Sequence, residues 1–226
     1  MIIDLRQYNA SVEYYRQNWR LLDDTLLRLC SDYPDHTSPA SVNAKLWIVG
    51  RTYATGIERR VRTTGSQGSS MSQVAAHFLA HSSELEAIFG ALRPVSEPLD
   101  PVKLRLIVAL HGRLVTLLGQ ITNGKSARSF ASKYMHFHNP VVPIYDSVAA
   151  AVLPRHVHWC KELSVFEMPA EADQTYGWYA MRLYRLYERV AEAKLPLSVK
   201  YLDNYLLWIA DDARLEIAEL TDAEAG

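Results

Sequence analysis

Apolar residues recur at spacings of three and four along most of this chain, and that helical period, with no convincing strand-like alternation, sets the elements it predicts. Tyr8 to Asp32 reads as one long amphipathic helix, its stripe formed by Val12, Tyr15, Trp19, Leu22, Leu26 and Leu29. The polar segment SDYPDHTSPAS ends it, because Pro34 and Pro39 cannot continue a helix, while Ser38 or Ser41 can cap the next one. NAKLWIVGRTYATGIERRV then predicts a second, mostly buried helix. It leads into a Gly/Ser-rich loop from Thr63 to Ser70, the internal stretch whose composition predicts the greatest mobility. Val74, Phe78, Leu79, Leu85, Ile88 and Phe89 mark a further helix over Met71 to Leu92, and the prolines of RPVSEPLDP mark a seam after it. Pro101 stands at the favoured first position of a helix, and Val102 to Leu118 is apolar on nearly every turn, the pattern of a central core helix. Beyond the turn GQITNG come a basic, aromatic helix, a loop held by Pro140 and Pro143, and a short helix to Leu153. An irregular stretch leads from there to final helices over Gln174 to Lys194 and Leu197 to Ala210. The expected fold is all-α, roughly eight or nine helices in a single domain over residues 1–226, as one body or two lobes.

Composition changes this picture little. With 49% hydrophobic and 22% charged residues in 226, the chain can bury one sizeable core. The N-terminal MIIDLRQYNASVEYY lacks the basic and apolar regions of a signal peptide, and no run is long and apolar enough for a membrane span, so the expected location is the cytoplasm with no membrane partner. Only Cys30 and Cys160 occur, which excludes a disulfide framework, a four-cysteine cluster and a CxxC zinc site. The net charge of −1 is unevenly spread. Residues 211–226 carry six acids against Arg214, a net of −5, which leaves 23 bases against 19 acids, or +4, on residues 1–210. A basic face able to meet a phosphate backbone can be built from Arg51, Arg59, Arg60 and Arg62 with Lys125, Arg128 and Lys133; the competing reading is a solvated helix face.

The chemistry concentrates in residues 121–153. Ser126, Arg128, Ser129, Ser132, Lys133, His136 and His138 bring donors and cations to one helical stretch, with Phe130, Tyr134, Met135 and Phe137 on its apolar side. Asp146 follows, just before SVAAAVL, at a helix start where backbone N–H groups and the dipole favour an ionised acid. Its role is either a helix cap or a catalytic carboxylate. Val142, Pro143, Ile144, Tyr145 and Asp146, entered from a cationic helix, resemble the active-site segment of the helix-hairpin-helix DNA glycosylases. There a hairpin and its following helix lead through a Pro-Val-Asp turn to the catalytic aspartate; here two residues, Ile144 and Tyr145, separate the proline from the acid. SFASKYMHFHNP and VPIYDS also look like a branch of bacterial glycosylase-like proteins that includes antiphage enzymes of the Brig type. The resemblance spans roughly residues 105–153. It implies a helix-hairpin-helix glycosylase-like bundle, a monomer without metal or other cofactor, acting on DNA. It also implies Asp146 as the carboxylate that hydrolyses a modified base from its sugar, glucosylated hydroxymethylcytosine of phage DNA in the Brig branch, as antiviral defence.

In bifunctional members of that superfamily a lysine nucleophile follows a G-x-G-x-K hairpin. Here Thr122, Asn123, Gly124 and Lys125 stand in its place, with the first glycine replaced and the lysine directly after the second. Lys125 and Lys133 are therefore the candidate amines, against the plainer reading of solvated cations. Arg51, Tyr53 and Arg59, together with His136, His138 and Tyr145, are candidates for contacts to the excised base. Lys125, Arg128 and Arg62 are candidates for the DNA backbone. Arg51, Thr55, Glu58 and Arg62 would form one stripe if residues 43–61 were a continuous helix. His77 and His81, His136 and His138, and His156 and His158 invite a metal reading, but residues two apart on a helix point away from each other and no acid-rich partner is evident, so no metal is expected. Tyr176, Trp178, Tyr179, Tyr184 and Tyr187 could stack on bases, although aromatics at helical spacing more often pack. The rival to an enzyme is a catalytically inert helical module that binds nucleic acid or a nucleotide through the same basic face, and a third reading is an operon interaction protein with Asp146 only a cap.

Overall fold

The computed structural model describes residues 3–61, 69–122, 124–158 and 166–224, with side chains as far as residue 211. Among the described residues there are ten α-helices and no named strand. They are α1 (Leu5–Asn18), α2 (Arg20–Asp32), α3 (Pro39–Thr52), α4 (Ser70–Ala80), α5 (Ser82–Leu92), α6 (Pro101–Gly119), α7 (Arg128–His138), α8 (Ser147–His156), α9 (Gln174–Glu192) and α10 (Val199–Glu224). A single 3-10 turn, Ile57–Arg59, follows α3. No helix among the described residues is long and apolar enough to cross a membrane.

Local chemistry explains most starts. The side chains of Asp4, Ser38, Ser69, Asp100, Asp146 and Asp173 each accept a hydrogen bond from a backbone N–H of the helix they open, and Pro39 and Pro101 occupy first helical positions where a missing N–H costs nothing. The single helix expected over Tyr8 to Asp32 is instead a pair that turns at Trp19, with Asp23, Leu26 and Cys30 as the buried face of α2. Met71 to Leu92 likewise divides at His81. Residues 43–61 are not one helix either: α3 stops at Thr52, and the chain turns through Ala54 and Gly56, both at positive φ, into the 3-10 turn. The expected stripe is therefore broken across positions 51, 55 and 58, position 62 lying outside the described residues, although the turn folds Glu58 back onto Arg51 at 3.0 Å. The Gly/Ser loop expected to be mobile lies largely outside the described residues.

α6 packs against α5, α7 and α9, as a core helix should, but its opening turn faces outward, with Val102 79% exposed. The more enclosed helix is α7, which lies among α2, α3 and α6 and buries every residue from Phe130 to Phe137. Lys133 and His136 are thus forced to find partners inside the protein. On the other side, α10 packs on α1, α8 and α9. Gly112 permits a close approach at α6: a Cβ there would stand 1.9 Å from the carbonyl oxygen of Glu171, so the turn before α9 lies directly on the helix.

Candidate functional site

The loop between α7 and α8 is tied down at each step. His136, buried, donates from Nδ1 to the carbonyl of Val142 at 2.9 Å, Ser132 Oγ accepts the Tyr145 N–H at 2.9 Å, and Tyr176 donates its hydroxyl to the carbonyl of Pro143 at 2.9 Å. Burial, with the charge of Lys200 adding to it, lowers the His136 imidazole to about 3, so it is neutral and can act only as such a brace. The braces deliver Asp146 to the start of α8. One of its oxygens accepts the Val148 N–H at 2.9 Å and the other meets Lys133 Nζ at 3.1 Å. Burial raises the Asp146 carboxyl, but Lys133 and the helix N–H groups outweigh it and hold the acid below its ordinary range. Lys133 also donates to the carbonyl of Tyr53 at 3.2 Å. With side chains 7% and 25% exposed, the lysine lies beneath and the carboxylate is the more open of the two.

Both line a cavity of about 570 Å³ between α1, the turn after α3, α7, α8 and α10. Lys200 and Asp203 line it as well, and the buried Asp23 lies behind them. Asp23 accepts from Tyr15 at 3.0 Å and from the Tyr53 hydroxyl, and stands 3.6 Å from Lys200 Nζ, which pairs with Asp203 at 3.1 Å. Burial raises the Asp23 carboxyl despite these partners, while Lys200, although burial opposes it, is held charged by Asp203 and Asp23. The Tyr53 ring lies between the lysines, 5.9 Å from Lys133 Nζ and 5.1 Å from Lys200 Nζ. Asp203 Oδ1 is buried without a hydrogen-bond partner. Toward solvent the lining becomes aromatic, with Trp19 and with Tyr14 tilted on Trp208 at 5.5 Å.

Of the residues singled out in the sequence, Asp146, Lys133 and Tyr53 meet in this cavity. Arg51 instead pairs with Glu58 and lies over Trp47 at 5.1 Å, its side chain 63% exposed. His138 packs against His36, Phe89 and Tyr134, where desolvation holds it neutral. Tyr145 packs edge-on against Tyr179 and beneath the Arg128 guanidinium, which is bound to Asp173 at 2.7 Å. Arg59 and Lys125 line a separate, open cleft, and Arg62 lies outside the described residues. Tyr176, Tyr179 and Tyr187 are core residues. His77 and His81 contact each other, with ring centroids 4.2 Å apart, but among the described residues no three His, Cys, Asp or Glu side chains are grouped to hold a metal ion.

Asp23, Lys200 and Asp203 escaped the sequence reading. Their signal was a charge on an apolar stripe: Asp23 shares a face with Leu26 and Cys30, and Asp203 stands beside Leu202 and Leu206. Comparison with protein-family models, with curated proteins and with solved structures finds no match for this chain.

Proposed function

We propose that the chain is a DNA glycosylase that removes a modified base, with Asp146 as its catalytic carboxylate. The observation that carries this reading is an ionised acid, fixed through one oxygen by the Val148 N–H and through the other by Lys133, on the wall of a cavity of about 570 Å³. Cleaving an N-glycosidic bond develops positive charge on the sugar. A carboxylate whose orientation is set beforehand stabilises that charge without reorganising. The bond from the anomeric carbon to the base nitrogen breaks, the electron pair leaves with the base, and water adds to the carbon. Asp146 accepts the proton of that water, and the base acquires one, so the products are an abasic sugar and the free base. A base in duplex DNA must first be flipped out of its stack. The aromatic mouth of Tyr14, Trp19 and Trp208 offers rings for stacking, and the cavity falls within the usual range for small-molecule sites, with space for a base bearing a substituent. The sequence resemblance of residues 105–153 supports the same reaction and suggests phage DNA carrying glucosylated hydroxymethylcytosine as the substrate, with antiviral defence as the role.

The test incubates the protein with phage DNA bearing natural base modifications and with unmodified DNA, scoring abasic sites with an aldehyde-reactive probe. Abasic sites confined to modified DNA and lost in Asp146→Asn are expected. A folded Asp146→Asn protein with full activity would exclude the mechanism, and DNA binding without product on any modified DNA would favour an inert binding module.

A further inference from the structure

The turn that supplies Tyr53 and Ala54 to the cavity continues through Gly56 into a second concavity of about 520 Å³, lined by Gly56, Arg59, Arg60, Lys125 and Ser126. No acid is among those residues. By contrast, Arg51, Arg105, Arg128 and Arg185 each pair with an acid, Glu58, Glu167, Asp173 and Glu188 respectively. Arg59, Arg60 and Lys125 form no ion pair with any described acid, so three cations converge on one cleft against their mutual repulsion. Such an arrangement is stabilised by an anion.

The cleft is also built rather than incidental. It lies between the turn after α3 and the connection from α6 to α7, and these are joined by an antiparallel bridge of Val61 with Thr122 and by the Arg60 guanidinium donating to the carbonyl of Ser126. Gly56, at φ 66°, permits the turn, and a Cβ there would come within 3.1 Å of Arg59 Nη2, so glycine leaves the guanidinium room. Arg60 is thereby fixed as a strut, while Arg59 and Lys125 are exposed and available. Ala54 lines the cavity and Gly56 the cleft, and residues two apart are separated by at most about 7.6 Å between Cα atoms. An anion in the cleft therefore lies beside the reaction cavity.

We propose that Arg59 and Lys125, positioned by Arg60, bind a backbone phosphate of the nucleic-acid strand whose base enters the cavity. The choice of nucleic acid over a free phosphate rests on the glycosylase reading above; the anion site itself rests on the cleft. Arg59 is the bidentate donor suited to a phosphodiester, and Lys125 adds a point charge.

The experiment measures binding of a fluorescent oligonucleotide by anisotropy across a salt series, for the wild type, Arg59→Gln with Lys125→Gln, Asp146→Asn, and a charge-matched control carrying Arg28→Gln and Lys194→Gln. The cleft variant should bind more weakly, with the slope of log K against log salt reduced by about 1 to 2, while the charge-matched control keeps the wild-type slope. An unchanged slope in the cleft variant, an equal loss in the control, or no oligonucleotide binding by the wild type at low salt would overturn the proposal. Inorganic phosphate competing with the oligonucleotide in the wild type, but not in the cleft variant, would support an anion site at these residues. An abasic-site assay on the same proteins separates the two proposals, since binding that depends on the cleft but yields no product leaves the phosphate site standing while the glycosylase reading falls.

Discussion

At Asp146 one carboxylate caps a helix, pairs with a buried ammonium and faces a cavity, and substitutions separate these roles. Asp146→Asn keeps an acceptor for the Val148 N–H but turns its amide toward Lys133 and removes that ammonium's counter-charge, so it should cost on the order of 1–3 kcal/mol of stability, which leaves the fold intact. It removes the charge, and single-turnover base excision should fall by at least about 100-fold. A fall of only a few-fold would reduce Asp146 to a cap. Lys133 acts on Asp146 through their ion pair, and its contribution should appear in the pH profile more than in binding. Burial raises the acid and Lys133 lowers it, so Lys133→Met should move the acidic limb of the rate profile to higher pH, with a smaller change in KM than in kcat. An unshifted limb would show that the pair does not set the acid's ionisation. The same geometry bears on the amine route. With Lys133 Nζ engaged by Asp146 and the Tyr53 carbonyl, borohydride should trap no protein–DNA adduct during excision, and an adduct lost in Lys133→Gln would make that lysine the nucleophile.

At the scale of elements, legibility followed how local the cause was. The helix start at Asp146, the proline opening of α6 and the ends of α9 depend on neighbours in sequence and could be read there. The turn at Trp19 could not, since no proline or glycine stands at it and the apolar stripe runs on; only tertiary packing of α1 against α2 and α10 selects the break. Likewise Lys133 was legible as a polar candidate near Asp146. The convergence of Asp23 from α2 with Lys200 and Asp203 from α10 depends on contacts across nearly the whole chain. Gly112 shows a close approach equally hidden in the sequence. Gly112→Ala forces a methyl group against the Glu171 carbonyl, so α6 or the turn before α9 must shift, at a cost of about 1–3 kcal/mol. Urea denaturation should record the loss, and an unchanged midpoint would mean that this turn is not packed on α6.

For the whole molecule, the buried imidazoles govern how stability responds to acid. Burial lowers His36 and His111 to about 4 and His136 to about 3, and it pushes His138 down as well. Lys45 adds to the effect at His36; at His111 the bond to the Arg128 carbonyl and the charge of Asp173 oppose burial without overcoming it, and the Arg128 charge adds slightly to burial. Each group is neutral in the fold and ordinary, at 6.5, once unfolded. Between those values the unfolded chain binds more protons than the native one, so stability is fully present above about pH 6.5 and is lost as the pH falls toward 4. Each imidazole contributes a slope of up to about 1.4 kcal/mol per pH unit in that window. Asp23 acts in the opposite direction, because its raised carboxyl takes up a proton in the fold more readily than in the unfolded chain, and it offsets part of the slope as the pH falls. Asp146 and Asp173, both lowered, add their own loss only below the ordinary carboxylate range. The urea midpoint should therefore fall steeply from pH 6.5 to 4.5. His111→Phe, which can keep the ring stacked at 3.6 Å on Tyr176 but carries no titrating group, should flatten the fall while losing the bond to the Arg128 carbonyl. A midpoint that is level across this range in the wild type would show that the four imidazoles reach water or take up protons without unfolding, and would remove the enclosed α7 core on which the position of Asp146 depends.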